Sequence, residues 1–364
     1  MCDRPFQFRQ SVEDRRTGRD WLSGDAGEDI LCQASWENVH ATDDVIMSTE
    51  SRPKVSVIIP VFGKSGDLDR LVRKLNEQTL KPHEIIVVDS NPEPLKALPP
   101  GVKHIVNPED IAYGWDFNLG AQQATGDYLL NTSQDCLPEN ECSLEEMFSA
   151  LTANRVAVTA TVTLPKEIWE EYDFWGKVMM ARWVGEIRQG ISDKLDLIRI
   201  EVFRKVGGYD IETFRYCGQD QDLYMHLSQQ GEVRIVKTRV LHLHKQPRGT
   251  SCMAVIKKQF LLAESFGALF RKWGFQLRRA PYAGNWTHHL VKFIYPLLLL
   301  LPFAPKTGAL LLFVLTNLTH IETWRIRSPK VLVMVLLNPT LFVVGAVGTL
   351  RGFLTGRQRY SVFK

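Results

Sequence analysis

Runs of aliphatic and β-branched residues alternate with helix-like stretches in the first half of the chain, and this alternation most constrains the fold. VSVIIPVF (55–62), EIIVVDS (84–90) and GDYLLNTSQD (126–135) contain such runs. Continuous apolar runs of this length are typical of strands buried on both faces of a sheet. LDRLVRKLNEQTL (68–80) has apolar residues at helical spacing, and DFNLGAQQA (116–124) is interpreted as a second helix. The alternation predicts an α/β, Rossmann-like fold with a mostly parallel sheet, flanking helices and right-handed crossovers.

Three further segments have the character of strands. KHIVNP (103–108) is short, whereas RVAVTATVTL (155–164) and GEVRIVKTRVLHLH (231–244) alternate apolar and polar residues. Between the last two lies EIWEEYDFWGKVMMARWVGEI (167–187), which is rich in aromatic residues. These rings could line a ligand groove or pack in a core, and the sequence leaves both interpretations open.

Composition divides the chain into four regions. Residues 1–52 are polar and have no apolar run of the kind found in secretory signals. Residues 53–250 hold the strand and helix alternation. Residues 251–288 are interpreted as a basic amphipathic linker, and residues 289–364 as an apolar, membrane-associated helical region with a basic tail. Because no secretory signal is recognised, we expect the catalytic region to lie on the cytoplasmic side of a membrane.

Three residues mark the ends of predicted strands. Pro60 ends the first strand, Asp89 ends the second, and Asp135 follows the run YLLN. Ligands of open α/β sheets bind beyond the carboxyl ends of the strands. An aspartate that caps a turn is the plainer explanation for each acid taken alone. Their common placement nevertheless predicts a shared site at this edge.

The order of four segments is informative as a set. VSVIIPVF is followed by EIIVVDSN, then FNLGAQQATGDYLLNTSQD, then VGGYDIETFRYCGQDQDL. This order resembles the family 2 glycosyltransferases of the GT-A fold, over roughly residues 54–250. The resemblance implies an enzyme that moves a sugar, with inversion, from a nucleotide-diphosphate sugar to a hydroxyl or phosphate acceptor. The QxxRW signature of processive members does not follow the last segment, so one sugar is expected per encounter.

The resemblance also implies residues that bind the donor. Asp89 matches the family acid that contacts the nucleoside, and Pro60 and Val61 match the loop that lines the base. Asn118 and Gly120 match a helix start near the donor.

The family's metal-binding DxD motif falls on Ser133-Gln134-Asp135, in which a serine replaces the first acid. Asp135 is therefore expected at the donor and at a divalent cation, Mn²⁺ or Mg²⁺, since hard cations take oxygen ligands. His242 and, second, His244 match the strand histidine that ligates the metal in many members, and they project from the same face of a strand. Lys245 and Arg248 could neutralise a diphosphate.

The segment Gln219-Asp220-Gln221-Asp222-Leu223 matches the family's Glu-Asp-x-Asp-Leu pattern. Residues two apart on a helix point about 200° apart, so the two carboxylates cannot share one target. The resemblance assigns Asp220 as the catalytic base, while Asp222 suits the acidic first turn of a helix. Gln219 replaces an acid beside the base. Trp175, Gln219 and Asp222 are further residues expected on the acceptor side.

Apolar segments follow the predicted catalytic domain. LVKFIYPLLLLLPFA (290–304), GALLLFVLTNLTHI (308–321) and VLVMVLLNPTLFVVGAVGTL (331–350) are preceded by a basic, aromatic stretch. The last is long enough to cross a bilayer, but a kinked hairpin and a buried hairpin stay open as alternatives, because Asn338-Pro339 interrupts its middle. Membrane attachment favours a lipid-linked or glycan acceptor. The balance of 44 basic and 41 acidic residues indicates no nucleic-acid partner.

Two other functions remain possible from the residues. A degenerate GT-A module that binds nucleotide sugar or glycan without turnover is suggested by Ser133 and Gln219, each of which replaces an acid. A nucleotidyltransferase would need a glycine-rich loop after the first strand, and PVFGKSGDL has only two scattered glycines.

Overall fold

The computed structural model describes residues 53–63, 67–107, 112–188, 190–243, 250–281 and 305–358. All of them belong to one compact unit. The polar extension, His244, Lys245, Arg248 and the apolar segment 290–304 lie outside the described residues. Expectations about them, and the four-region division of the chain, stay predictions.

A single curled sheet of nine strands forms the centre of the described chain. The strands are β1 (Val55–Val61), β2 (Glu84–Asp89), β3 (Val102–Val106), β4 (Tyr128–Thr132), β5 (Cys136–Pro138), β6 (Arg155–Leu164), β7 (Gly185–Ile187), β8 (Leu195–Arg199) and β9 (Glu232–His242). Their spatial order is β3-β2-β1-β4-β8-β6-β9-β5, with β7 paired to β6. The α/β class predicted from the sequence is confirmed.

The first half of the sheet is parallel, as the alternation of strands and helices predicts. β1 pairs with β2 on one side and β4 on the other, and β2 pairs with β3. Val61 lies opposite Asp89, and Ile58 lies opposite Asn131. The carboxyl ends of β1, β2 and β4 therefore meet at one edge.

The second half of the sheet is mixed rather than parallel. β8 lies antiparallel between β4 and β6, and β5 lies antiparallel to β9, whereas β6 and β9 are parallel. The strands that create these antiparallel pairs, β5, β7 and β8, are three to five residues long. Such lengths are too short for a periodic pattern to be detected, and the sequence did not predict them.

Ten α-helices in the described residues cover the sheet and form its C-terminal extension. They are α1 (Asp67–Glu77), α2 (Tyr113–Gln122), α3 (Ser143–Ser149), α4 (Lys166–Glu170), α5 (Phe174–Met180), α6 (Ile200–Lys205), α7 (Gln219–Ser228), α8 (Cys252–Trp273), α9 (Pro305–Thr319) and α10 (Met334–Thr355). The periodic residues of α1 are buried against the sheet: Leu68, Leu71, Val72 and Leu75. Burying side chains of this size stabilises the fold by about 1.5–3 kcal/mol each. Beside α3, Cys142 is disulfide-bonded.

The C-terminal helix α10 is the strongest membrane candidate. Residues 329–355 are long and apolar enough to cross a bilayer by length and composition, and 39% of the most apolar window is buried inside the protein. The helix continues through Pro339, so the expected interruption is wrong, although Asn338 still donates a hydrogen bond to Asn317. The outer face of α10 exposes apolar side chains, including Leu336 and Val347.

The inner face of α10 packs tightly against α8 through glycines. A Cβ atom at Gly352 would lie 1.8 Å from the carbonyl oxygen of Glu264, and one at Gly267 would lie 2.0 Å from that of Thr349. Arg351 forms an ion pair with the buried Glu264 at 3.4 Å. Backbones approach this closely only where side chains are absent. Helix α10 is therefore anchored to the catalytic unit along one face.

Replacing Gly352 by Ala is expected to lower the stability of the protein by about 1–3 kcal/mol, because the new methyl group overpacks the α8–α10 contact. Helix propensity alone predicts the opposite sign, since Ala favours a helix over Gly by about 1 kcal/mol. Thermal unfolding in detergent measures the change. Val347→Leu, at a position 54% exposed on the same helix, is the matched control and should unfold like wild type.

The basic residues expected to face lipid at the end of α8 are partly engaged inside the protein. Arg271 donates to the carbonyl groups of Phe353 and Leu354, and Lys272 binds Asp210 and Asp222, each at 2.9 Å. Arg278 and Arg279, in the turn after α8, are exposed, and among the described residues they form no ion pair. These contacts stabilise the junction of α8 and α10 with the catalytic unit.

Candidate active site

Asp220 lies in the first turn of α7, at the edge of the sheet where β4 and β8 meet. It is half-buried, and Gln221 donates to its Oδ2 atom at 3.4 Å. Burial, and next the charge of Asp193, raise the pKa of Asp220 to about 7. A carboxylate with this pKa can accept a proton near neutral pH, as a general base must.

Asp193 is a second carboxylate at this site, and the sequence interpretation did not identify it. It is buried on the turn before β8, and its backbone adopts a left-handed conformation with φ of 61°. Its carboxylate accepts hydrogen bonds from the hydroxyl of Tyr209, from Asn131 at 3.3 Å and from Gln219 at 3.0 Å. Burial raises its pKa despite these donors. Asp193 is thus a buried carboxylate hydrogen-bonded to Gln219, the residue beside Asp220.

Hydrogen bonds to both the amide and the carbonyl group of Asp193 stabilise the turn around it. Its amide donates to Asp196 at 2.8 Å, while its carbonyl accepts from Tyr113 at 2.9 Å and from Ser133 at 2.8 Å. A non-glycine residue with positive φ persists only where its surroundings determine it. Ser133, which stands where the family motif has an acid, therefore stabilises this turn through its hydroxyl group.

Lys194 follows Asp193 directly. Burial alone would lower the pKa of its ammonium group, but the negative charges of Asp135, Asp193 and Asp220 raise it. The turn at Asp193 joins Gln219, next to Asp220, to Ser133, two residues before Asp135. That Asp89, Asp135 and Asp220 share one site stays a prediction.

Asp135 and His242 form the candidate metal centre. His242 Nε2 lies 3.3 Å from Asp135 Oδ2, and the register pairs His242 with Cys136. Ligand atoms of Asp135, Cys136 and His242 lie within 4.8 Å of one another. A carboxylate and an imidazole suit Mn²⁺. Burial raises the pKa of the Cys136 thiol, so the thiol stays protonated and is a poor ligand. The residues present fit a divalent cation held by Asp135 and His242.

Asp222 points away from this site, as helix geometry predicts for a residue two positions after Asp220. Its carboxylate accepts from the indole of Trp273 at 2.7 Å and from Lys272 at 2.9 Å, and His226 lies 3.6 Å away. Asp222 therefore joins α7 to α8. This geometry favours a structural role over the acceptor-side role expected from the sequence.

Comparison with known proteins bears on the region that contains these residues. Residues 56–206 match the model of the family described as Glycosyl transferase family 2. These residues form a glycosyl transferase family 2 domain. The matched residues include Asp89, Asp135, Asp193 and Lys194.

Two further proteins are similar to this chain. The chain is 28% identical over 230 residues to the O-antigen biosynthesis protein RfbC of Myxococcus xanthus. That alignment covers 52% of this chain and 17% of the relative, so the chain spans a small part of the larger protein. Among solved structures, the mannosyltransferase PcManGT from Pyrobaculum calidifontis, in complex with GDP-Man and Mn²⁺, superposes with a TM-score of 0.53. At 15% identity, over 88% of this chain and 94% of that one, the likeness shows a shared fold.

Asp89, the expected nucleoside ligand of the glycosyltransferase, is fully buried. Its Oδ1 accepts from the backbone and side chain of Asn91, and its Oδ2 accepts from the Leu95 amide and lies 3.1 Å from His104. These donors lower its pKa despite burial. Both carboxylate oxygens of Asp89 are thus hydrogen-bonded within the protein, and Asp89 orders the loop after β2. Its contact with a nucleoside stays a prediction.

Pro60 and Val61 are buried within β1, so neither presents a free surface for a base. Phe62, directly after the strand, is 51% exposed at the same edge, and its carbonyl accepts from Gln134 at 2.9 Å. The sequence interpretation missed Phe62. An apolar ring at the exposed end of a buried strand is the signal that could have identified it.

Asn118 and Gly120 have packing explanations in this enzyme. The side-chain amide of Asn118 donates to the Tyr209 carbonyl and accepts from the Tyr209 amide, each at 2.9 Å. A Cβ atom at Gly120 would lie 2.6 Å from Ile58 and 3.2 Å from Val88. Both residues fix α2 against the sheet. Their expected role near the donor stays a prediction.

The aromatic stretch after β6 joins the catalytic unit to the C-terminal helices. Trp169 and Tyr172 pack in one apolar cluster with Leu337 and Leu341 of α10. Trp175 stacks edge-on against Phe174 at 4.9 Å and lines a cavity of about 290 Å³ with Asp173, Lys330 and Val333. The packed-core interpretation therefore holds for part of the stretch. Trp175 remains open to a ligand.

Replacing His242 by Ala is expected to weaken Mn²⁺ binding by at least tenfold, because an imidazole ligand is removed while Asp135 stays. Isothermal titration of the protein with MnCl₂ measures this directly. His226→Ala is the matched control, since His226 contacts Asp222 and Trp273 on another face. Equal Mn²⁺ affinity in wild type and His242→Ala would remove His242 from the metal centre.

Proposed function

We propose that this glycosyltransferase moves a single sugar, with inversion, from a nucleotide-diphosphate sugar to a lipid-linked or glycan acceptor. The acceptor presents a hydroxyl or phosphate group. The catalytic domain works at the cytosolic face of a membrane.

One observation carries the proposal. The turn at Asp193 accepts a hydrogen bond from Gln219, which precedes Asp220, and one from Ser133, which lies two residues before Asp135. Burial raises the pKa of Asp220 to about 7, so a candidate base and a candidate cation-binding carboxylate lie on segments that one turn joins. This arrangement suits a displacement with an attacking and a leaving oxygen. The O-antigen relative and the neighbour that binds GDP-Man and Mn²⁺ support the same chemistry.

In this mechanism Asp220 accepts the proton of the acceptor hydroxyl while that oxygen forms its bond to the anomeric carbon. The bond between the anomeric carbon and the diphosphate breaks in the same step, and the nucleoside diphosphate leaves. Attack from the face opposite the leaving group inverts the anomeric configuration. The hydrogen bond between Gln219 and Asp193 fixes the first turn of α7, which carries Asp220.

Asp135 and His242 would hold a divalent cation. Such a cation, when bound, offsets negative charge on the leaving diphosphate. Burial, and next the charge of Asp135, raise the pKa of Tyr172 to about 12, so Tyr172 is a neutral phenol.

The acceptor assignment follows from the C-terminal region. The exposed apolar face of α10, the basic residues near its ends and the cluster that α10 shares with Tyr172 support a lipid-facing surface next to the catalytic unit. A substrate carried in the membrane would reach the site from this side.

Detergent-solubilised protein with MnCl₂, assayed by thermal shift against a panel of nucleotide-diphosphate sugars, tests the donor assignment. Stabilisation by one donor, followed by its hydrolysis or transfer, supports the enzyme. Absence of stabilisation by every donor would refute it.

A binding module without turnover is the second candidate, because Ser133 and Gln219 replace family acids. Asp193 weighs against it, since this residue restores a second carboxylate beside Asp220. Donor binding without any hydrolysis or transfer in Mn²⁺ would favour the binding module.

A further inference from the structure

We infer that Gln358, just beyond the membrane candidate helix α10, is a positioning residue for the proposed sugar transfer. It fixes the loop 213–217, from which the chain enters helix α7 and reaches Asp220. This inference rests on the proposed function and adds a residue that acts through the backbone, without touching the reacting atoms. Neither the sequence interpretation nor the family match, which ends at residue 206, assigns a role to Gln358.

Gln358 is buried and binds the loop 213–217 with both its backbone and its side chain. It is 6% exposed, and its backbone amide donates to the Thr213 carbonyl at 2.9 Å. Its Oε1 atom accepts from the backbone amides of Tyr216 at 2.7 Å and of Cys217 at 3.4 Å. Its Nε2 atom donates to Cys217 Sγ at 2.9 Å. One side chain therefore determines the path of the backbone that leads into α7.

Helix α8 confines the same loop from another direction. Cys217 Sγ donates to the Leu261 carbonyl at 3.5 Å. Gly218, the residue before α7, has a φ of 90°, and a Cβ atom there would lie 2.2 Å from Ser265 Oγ. The Gly218 carbonyl accepts from the Asp222 amide at 2.9 Å, within the first turn of α7. Because Asp220 follows Gly218 by two residues, the position of its backbone depends on where this loop is held.

The turn between α10 and Gln358 is itself well defined. Gly356 ends α10 in a left-handed conformation with a φ of 68°, and its amide donates to the Gly352 carbonyl at 2.8 Å. The Thr355 hydroxyl donates to the Arg357 carbonyl at 2.9 Å. A side chain on such a fixed segment is suited to positioning another segment with precision. The hydrogen bonds of Gln358 therefore link the start of α7 to the C-terminal end of α10.

Turnover of the full-length protein in detergent and MnCl₂, with the panel of nucleotide-diphosphate sugars described above, tests the inference. Gln358→Met keeps the length of the side chain but accepts from no amide. It is expected to lower kcat about tenfold or more, because a misplacement of about 1 Å can cost 10²-fold in rate. Donor affinity, measured by titration, should stay near that of wild type.

Two further variants accompany this measurement. Gln358→Glu, whose carboxylate still accepts from the amides of Tyr216 and Cys217, should recover most of the lost kcat. Gln229→Met makes the same chemical change at an exposed position directly after α7, and it is the matched control that should turn over like wild type. A residue that only stabilises the fold would lower the unfolding temperature in Gln358→Met and leave kcat per folded molecule unchanged.

The outcomes separate the inference from the proposed function. Equal kcat per folded molecule in wild type and Gln358→Met overturns the inference and leaves the proposed function intact. An equal loss in Gln358→Glu and Gln358→Met also overturns it, since the hydrogen bonds to the loop amides would then be irrelevant. If Gln358→Met does not fold, Gln358→Asn, whose shorter side chain cannot reach the same partners, repeats the test. Failure of wild type to turn over any sugar of the panel overturns the proposed function and this inference together.

Discussion

Asp220→Asn is expected to lower the rate of sugar transfer by a factor of about 10²–10⁴, which is the usual contribution of a positioned base. Asparagine has nearly the same shape as aspartate, so the fold and donor binding should be preserved. The loss should therefore appear in kcat while the affinity for the nucleotide sugar stays near that of wild type. Single-turnover transfer and titration with the donor measure the two quantities separately.

Asp222→Asn is the control for this experiment, because it makes the same chemical change two residues away on the same helix. Asp222 binds Lys272 and Trp273 instead of facing the site. Its replacement is expected to lower stability by about 1–3 kcal/mol, since a charged hydrogen bond is lost, and to leave transfer intact while the protein is folded. Retained turnover in Asp220→Asn would exclude Asp220 as the base.

Asp193→Asn is expected to move the acid limb of the pH profile to lower pH. The base must be deprotonated to act, so kcat/KM of wild type should fall about tenfold per pH unit below the pKa of about 7. Burial is the main cause of that raised pKa, and the negative charge of Asp193 is the next. Removing the charge lowers the pKa of Asp220, so the variant keeps a larger fraction of its maximal activity at acid pH. Because the two carboxylates interact, the profile reports the pair.

Gln219→Glu provides the opposite change in the same measurement. A third acid beside Asp193 and Asp220 should raise the pKa of the base, so the acid limb should move to higher pH. Asparagine tolerates the left-handed backbone found at Asp193, so Asp193→Asn should not disturb the turn. An identical acid limb in wild type, Asp193→Asn and Gln219→Glu would mean that burial alone sets the pKa of Asp220.

Much of the fold could be predicted from local patterns. Three aliphatic runs predicted β1, β2 and β4, and β6 spans the residues 155–164 that were expected from alternation. Helix α2 begins at Tyr113, three residues before its predicted start, because its first turn carries little apolar periodicity. The short strands that make the sheet mixed gave no signal at all.

The candidate site was predictable where one segment carries the chemistry. The spacing on α7 predicted that Asp220 and Asp222 face different partners, and Asp222 binds Lys272. The family resemblance selected His242, which lies 3.3 Å from Asp135. The expected donor residues Asn118 and Gly120 have their side-chain contacts in packing α2, a distinction that no local pattern expresses.

The sequence by itself determined the order of most strands and helices and the helix that carries Asp220, because hydrophobic periodicity and helix geometry are local properties. Only the tertiary structure decided that Asp193 lies beside Gln219 and Asp220. Its turn is brought to Asp220 because β8 inserts between β4 and β6, and the hydroxyl groups of Tyr113, Ser133 and Tyr209 hold it there. Those contacts join residues far apart in the chain, and the electrostatic environment of the base depends on them.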